Sequence, residues 1–194
     1  ARINYAMSMN KYTPAVMLKL NKSGIPLNAI IFNFIVGLLL LLPFPAWEEL
    51  IKFQTAAIVL AYGTGPVALM ALRSQAPDKS RPFILPMHRT MCCLSLFITN
   101  LILLWTGWQS IWRLMTGLIL GIILLVVYKK SQNKSDDEMH LQSGWWVLPQ
   151  CIGISIISYL SDFQGIGIIP FGYDFIAVAI FSYLILQLAY KIKL

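Results

Sequence analysis

A short polar break inside an apolar stretch is the clearest candidate for chemistry in this sequence. It reads Tyr-Gly-Thr-Gly-Pro and ends at Pro66, which has no amide hydrogen, so the carbonyl of Tyr62 loses its helical donor. In hydrocarbon that carbonyl needs another donor, which the Thr64 hydroxyl or a water molecule can supply. We predict one of two roles. The first is a hinge whose residues line a pathway, namely Tyr62, Gly63, Thr64, Gly65 and Pro66. The second is a packing kink that lets another helix approach closely.

Other residues with chemical potential give weaker signals. Residues 136–140, Asp-Asp-Glu-Met-His, lie in a stretch rich in Lys, Ser, Gln and Asn, which favours a solvated linker over a metal site. Cys92, Cys93 and Cys151 lie in or beside apolar blocks and are interpreted as small packing residues without a disulfide framework. The sequence contains no nucleophile–base arrangement, phosphate-binding glycine loop or paired carboxylates. We therefore predict a protein that is not an enzyme, with no catalytic residue, metal or cofactor.

The composition indicates an all-α integral membrane protein. The chain is 58% hydrophobic and 12% charged, whereas soluble domains have about 25% charged residues. Windows of about 18–20 apolar residues predict about six transmembrane helices. The fifth is the weakest, because it contains Pro149 and Gln150. The predicted spans are residues 27–47, 53–72, 90–106, 111–128, 145–161 and 174–190.

The basic residues predict the orientation of these spans. All Lys and Arg residues except Lys52 and Arg113 fall on one side of the predicted membrane, which by the positive-inside rule is the cytoplasmic side. Both termini are then cytoplasmic, in a multi-pass protein of the cytoplasmic membrane. The net charge of +7 is explained by this topology, and no nucleic-acid partner is expected. The six tryptophans all fall at predicted membrane interfaces, which supports the same spans.

Charge placement and local motifs divide the chain further. No basic or acidic side chain lies deep in a predicted span, so we expect no complete ion-coupling site in this chain alone.

A short helix is predicted in the first loop. Thr13 is suited to cap this helix, which would start at Pro14 and run through Leu20. We expect the helix to be amphipathic and to lie flat on the inner membrane surface. The predicted organisation is a cytoplasmic loop at 1–26, four transmembrane helices at 27–128, a cytoplasmic linker at 129–144, and two additional transmembrane helices at 145–194.

About the first 130 residues resemble the amino acid–polyamine–organocation superfamily, in its bacterial amino acid permease branch. The segment INYAMSMNKYTPAVMLKLNKSGIPLNAI is similar to that family's cytoplasmic loop between helices eight and nine. YGTGPVALMALR resembles its tenth helix, and RPFILP the inner loop that follows. The resemblance implies two inverted five-helix repeats followed by accessory helices, with this chain a C-terminal portion that begins before the ninth helix.

The resemblance also implies a function, and it implies which helices of the intact transporter bind the substrate. It implies secondary active transport of amino acids, by symport or antiport, with the substrate held by helices that precede this chain. No substrate-binding residue is therefore expected here. The expected partners are the lipid bilayer, the amino acid substrate of the intact transporter and the missing N-terminal helices. A homodimer with a second copy of the chain is a further expected association. The motif Arg81, Pro82 and Phe83 would lie in the cytoplasmic loop, with Arg81 fixing the cytoplasmic side.

A second reading of the sequence is a self-standing six-span channel or membrane scaffold protein. A membrane enzyme is a third, and the absence of a catalytic constellation disfavours it. The transporter-fragment reading and the six-span channel or scaffold reading differ in what the chain does by itself. If it transported solutes alone, its site would have to be built from these spans, and Tyr62, Thr64 and Asn100 would be the first residues to test.

Overall fold

A computed structural model of the chain describes residues 1–10, 12–41, 46–76, 78, 80–131 and 144–191. Within these residues the chain forms eight α-helices and one 3-10 turn. In chain order they are α1 Arg2–Met9, the 3-10 turn Ala15–Leu18, α2 Leu27–Leu41, α3 Trp47–Tyr62, α4 Thr64–Gln75, α5 His88–Trp105, α6 Trp108–Ser131, α7 Val147–Leu160 and α8 Tyr173–Lys191. Residues 136–140 and the basic residues Lys11, Lys79, Lys134 and Lys193 lie outside the described residues.

The length and composition of the helices confirm an all-α membrane protein. In the described part of the chain, four helical segments are long and apolar enough to cross a bilayer: Trp47–Gln75, His88–Trp105, Trp108–Tyr128 and Tyr173–Tyr190. The apolar helices Leu27–Leu39 and Val147–Leu160 are shorter. The count of six spans therefore stays a prediction, with α2 and α7 as the two shorter members.

One span begins earlier than expected. Trp47 was assigned to the end of the first span, but it is the first residue of α3. Glu48 and Glu49 follow it in the first helical turn, where carboxylates interact favourably with the positive end of the helix dipole. A hydropathy window excludes this turn because it is charged, so the prediction began the span at residue 53.

The described residues within 1–50 and 118–139 form one compact unit. In it α1 and α2 both contact the 3-10 turn. The helix expected from Pro14 to Leu20 is limited to that turn, and no side-chain hydrogen bond caps it. The Thr13 hydroxyl instead pairs with the Ser8 hydroxyl at 2.5 Å, and the Asn28 side chain donates to the Val16 carbonyl at 2.9 Å. The segment is thus fixed by contacts with its neighbours and not by an N-cap.

The described residues within 51–117 and 140–194 form the second unit. Here α4, α5 and α8 contact one another, and α7 contacts α5 and α8. Lipid chains are as apolar as these side chains, so close packing holds such helices together. Their common buried cluster consists of Val67, Met70, Cys92, Leu96, Trp146, Ile185, Leu186 and Ala189.

The connection between α7 and α8 folds back onto the end of α7. The amide of Ile166 donates to the carbonyl of Tyr159 at 2.8 Å. The amide of Trp108, at the start of α6, donates to the carbonyl of Phe163 at 3.0 Å. Gly165 lies against backbone carbonyl oxygens from the end of α7. This loop therefore fixes the α7–α8 pair and joins it to the turn between α5 and α6.

Candidate functional site

The predicted polar break falls where α3 gives way to α4. Gly63 separates the two helices but keeps right-handed helical angles, with φ −58° and ψ −20°, and its amide still donates to the Val59 carbonyl at 3.1 Å. The Thr64 hydroxyl donates to the carbonyl of Ala61 at 2.7 Å, not to that of Tyr62 as expected. A helical threonine reaches back three or four residues, so the carbonyl two residues away is out of reach.

The five residues of the break point in different directions. Gly63 is buried against α5, whereas Tyr62, Thr64 and Gly65 are exposed and Pro66 is half-buried. An open cavity of about 300 Å³ adjoins Gly65 and Pro66; its other lining residues are Leu69, Leu85, Met91, Cys92 and Ser95. One side of the break thus packs against a helix, and the other side faces open space.

The packing side can be tested with a pair of glycine substitutions. A Cβ atom at Gly63 would lie 3.4 Å from Cγ2 of Thr99 and 3.6 Å from Cδ1 of Leu96, so a larger side chain has no room. We expect Gly63→Leu to lower the free energy of unfolding by about 1–3 kcal/mol through overpacking. The measurement is unfolding of the purified chain in mixed micelles by increasing SDS.

The neighbouring glycine supplies the control for this substitution. A Cβ atom at Gly65 meets nothing within 4 Å, so Gly65→Leu should leave stability unchanged or raise it through helix propensity. Equal losses for the two variants would show that the α4–α5 contact at Gly63 is not tight.

The second predicted motif lies at the far end of α4. The Arg81 guanidinium donates to the carbonyls of Leu72 at 3.3 Å and Ala76 at 2.6 Å. The carbonyl of Leu72 also accepts from the amide of Ala76 at 3.1 Å, so the guanidinium adds a second donor there and opposes the negative end of the helix dipole. Pro82 and Phe83 are exposed. The structure does not bring this motif to the polar break, because the length of α4 separates them by about 18 Å.

A buried polar cluster joins three helices of the second unit. The side chain of Gln150 on α7 donates to Oδ1 of Asn100 on α5. Asn100 Nδ2 donates in turn to the hydroxyl of Ser182 on α8 at 2.9 Å, and this hydroxyl donates to the Val178 carbonyl at 2.7 Å. Asn100 and Ser182 are fully buried and Gln150 is 3% exposed. We call Asn100, Gln150 and Ser182 the polar triad.

The polar triad gives a role to a residue that sequence reasoning did not assign one. Gln150 was one reason to regard the fifth span as the weakest, and α7 is one of the two shorter apolar helices. The side-chain amide of Gln150 also hydrogen-bonds α7 to α5. The sequence signal was there in part, because Asn100 and Gln150 are isolated polar residues within apolar spans. Such side chains in a membrane protein usually hydrogen-bond across helices.

The ionisable groups of the described residues do not assemble into a reactive centre. No group of three or more His, Cys, Asp or Glu among the residues that the structure describes is placed to hold a metal ion. Asp174 is fully buried at the start of α8, where its Oδ1 accepts from the amides of Gly172 at 3.0 Å and Phe175 at 2.9 Å. These bonds serve the first turn of the helix, which makes the carboxylate a structural element of the α7–α8 loop.

The sequence of this chain is similar to those of known membrane transport proteins. Residues 1–128 match the family model described as amino acid permease. The aspartate-proton symporter of Bacillus subtilis (strain 168) is 34% identical over 187 residues, which are 94% of this chain and 36% of that protein. The glutamate/serine transporter AimA of the same organism is 28% identical over 185 residues, 94% of this chain and 34% of the relative.

A third relative is matched over a shorter length. The branched-chain amino acid permease BcaP of Bacillus subtilis (strain 168) is 27% identical over 136 residues, 69% of this chain and 29% of BcaP. No solved structure matches the chain. The chain spans about a third of the length of the curated relatives it matches, and those relatives are transporters and not enzymes. From the family match and the apolar helices, this multi-pass membrane chain belongs to the amino acid permease family.

Proposed function

We propose that this chain supplies the C-terminal helices of a secondary active amino acid transporter in the cytoplasmic membrane. The observation that carries the proposal is the 34% identity to an aspartate-proton symporter, which extends over 94% of the chain. The names of the three relatives give aspartate, glutamate, serine and branched-chain amino acids as their substrates. The proposed substrate class is therefore the amino acids, and the chain has no enzymatic role in this proposal.

In this proposal the described helices act as scaffold. Charged residues of the apolar helices stay within the first or last two turns, as Lys52, Arg73 and Arg113 do. Ion and proton pathways usually place ionisable groups deeper in the membrane. The polar triad is neutral and is suited to hold α5, α7 and α8 together. Substrate and coupling ion would then be bound by the N-terminal helices of the intact transporter.

The polar break is the part of the chain that we propose to face the transport pathway. Tyr62 is 72% exposed, and Thr64 and Gly65 are exposed beside it, while Gly63 holds the opposite side against α5. The exposed face is free to meet the N-terminal helices or a second copy of the chain. The distribution of basic residues supports cytoplasmic termini, with Arg81, Pro82 and Phe83 in a cytoplasmic loop.

The same proposal retains the predicted organisation of the chain. It assigns 1–26 to a cytoplasmic loop, 27–128 to four transmembrane helices, 129–144 to a linker, and 145–194 to two further helices. The first 128 residues are also the part that matches the family model, which supports treating the last two helices as an addition to the family's common part.

A chimera tests the proposed function. The matching third of the Bacillus subtilis aspartate-proton symporter is replaced by this chain, and uptake of labelled aspartate is measured in vesicles with an imposed proton gradient. We expect saturable, gradient-driven uptake by the chimera and none by the 194-residue chain alone, because a single bundle has no partner to move against.

Two comparisons make the outcome decisive. A symporter truncated before the matching region controls for activity of the remaining helices, and the amount of each protein in the membrane is quantified. Saturable uptake by the chain alone would contradict the assignment of the substrate site to other helices. A chimera that is present at wild-type level and takes up no more aspartate than the truncated symporter would contradict the proposed role in an amino acid transporter.

A further inference from the structure

A pocket of about 390 Å³ lies where α5 begins and α8 ends. Three helices contribute to its lining, with Met70 from α4, Arg89 and Thr90 from α5, and Leu186, Gln187 and Tyr190 from α8. Both α5 and α8 are candidate membrane spans, so the pocket lies at the end of a span, at the depth of lipid headgroups. None of the residues of the polar break lines this pocket.

The charge in this pocket is positive and held in place. The guanidinium carbon of Arg89 lies 5.8 Å from the centroid of the Tyr190 ring, a cation–π distance. The ring orients the guanidinium without neutralising it, because a ring face carries no formal charge. None of the described lining residues is Asp or Glu. Arg89 therefore presents its donors beside a cavity that is large enough for a small anionic group.

The polarity of the lining changes from one side of the pocket to the other. Arg89, Thr90 and Gln187 supply a charge, a hydroxyl and an amide. Met70 and Leu186 belong to the buried apolar cluster of the bundle. A ligand that is complementary to this pocket carries an anionic group against the polar side and an apolar portion against the apolar side. Guanidinium pairs with phosphate through two parallel hydrogen bonds, and basic pockets between membrane helices bind lipid headgroups.

We propose that this pocket binds the phosphate group of an anionic phospholipid. The guanidinium of Arg89 pairs with the phosphate, Thr90 and Gln187 hydrogen-bond to the phosphate and glycerol oxygens, and Met70 and Leu186 contact the start of the acyl chains. Inorganic phosphate offers the same anion without the apolar body. The apolar wall favours the lipid, and the experiment separates the two sources.

Lipid binding to the purified full chain in neutral detergent tests the proposal. Native mass spectrometry is used to compare phosphatidylglycerol with phosphatidylcholine, which share the phosphate but differ in net charge. We expect phosphatidylglycerol to bind at least about fivefold more tightly, the difference that one basic residue near the bilayer surface confers. Arg89→Gln should abolish this preference, Arg89→Lys should retain part of it, and Thr90→Val should weaken it without abolishing it.

Arg113 provides the matched control. Its guanidinium carbon also lies 5.8 Å from an aromatic centroid, that of Trp112, but it does not line the pocket. Arg113→Gln removes the same charge and should leave the lipid preference unchanged. Gel filtration of each variant establishes that it is folded and monodisperse.

Three results would overturn the proposal. The first is equal affinity for the two lipids, and the second is an equal loss of preference in Arg113→Gln and Arg89→Gln. The third is binding of inorganic phosphate at Arg89 with no preference for phosphatidylglycerol, which would assign the pocket to a soluble anion. The test needs no transport activity, so its failure and the failure of the proposed function are separate results.

Discussion

Gly165→Ala is expected to destabilise the α7–α8 pair strongly, because the added methyl group would overlap with backbone atoms. A Cβ atom at Gly165 would lie within 2.6 Å of three backbone carbonyl oxygens, those of Ser158, Tyr159 and Ser161. Backbone cannot rotate away as a side chain can, so the loop must move and give up the Ile166–Tyr159 hydrogen bond. We expect a loss of about 3 kcal/mol in the free energy of unfolding, at the upper end of overpacking penalties.

Unfolding of the purified chain by SDS in mixed micelles measures this loss. Gly117→Ala is the control, because a Cβ atom at Gly117 in α6 meets nothing within 4 Å. The control should be neutral or more stable by up to about 1 kcal/mol, since alanine is the better helix former. A Gly165→Ala protein as stable as Gly117→Ala would mean that the loop does not pack against the end of α7 as described.

The second large effect is expected at the centre of the polar triad. Asn100→Leu keeps the approximate volume of the side chain but removes both its acceptor and its donor. The Gln150 amide then loses its partner, and Ser182 loses the donor from Asn100, in a buried site. We expect a loss of about 1–3 kcal/mol in the free energy of unfolding, the cost of leaving buried polar groups unpaired.

A double substitution separates this cost from simple changes in packing. If the loss comes from an unpaired amide, Asn100→Leu combined with Gln150→Leu should recover part of it, because both partners of that bond are then apolar. Thr99→Val is the matched control on α5, since the Thr99 hydroxyl donates only within its own helix, to the Ser95 carbonyl at 2.8 Å. Additive losses in the double variant would argue against the hydrogen bond as the cause.

Local chemistry made several features predictable from the sequence. The membrane class followed from the length of the apolar blocks, and the position of the polar break followed from the missing amide of Pro66 and the two glycines before it. The partner of the Thr64 hydroxyl was missed, although the reach of a helical threonine fixes it. Thr13 was expected to cap a helix, but Ser8, five residues earlier, forms a hydrogen bond with its hydroxyl.

Contacts between distant residues could not be predicted in the same way. Gln150 pairs with a residue 50 positions away, and Asn100 pairs with Ser182, 82 positions away. No period or local propensity specifies such pairs, because they depend on how the helices pack. The same holds for Arg89 and Tyr190, which are 101 positions apart in the sequence (190 − 89) and line one pocket.

The long sequence separations within the polar triad have a consequence for biogenesis. Asn100 is synthesised well before its partners, and at about 5–20 residues per second Ser182 follows it by roughly 4–16 s. During that interval α5 carries an unpaired amide into the membrane, a state that costs free energy in hydrocarbon. The last two helices, α7 and α8, then supply the two hydrogen-bond partners of this amide. A chain truncated before Gln150 would lack both of these partners, so the Asn100 side chain would have to find other hydrogen bonds or remain unpaired.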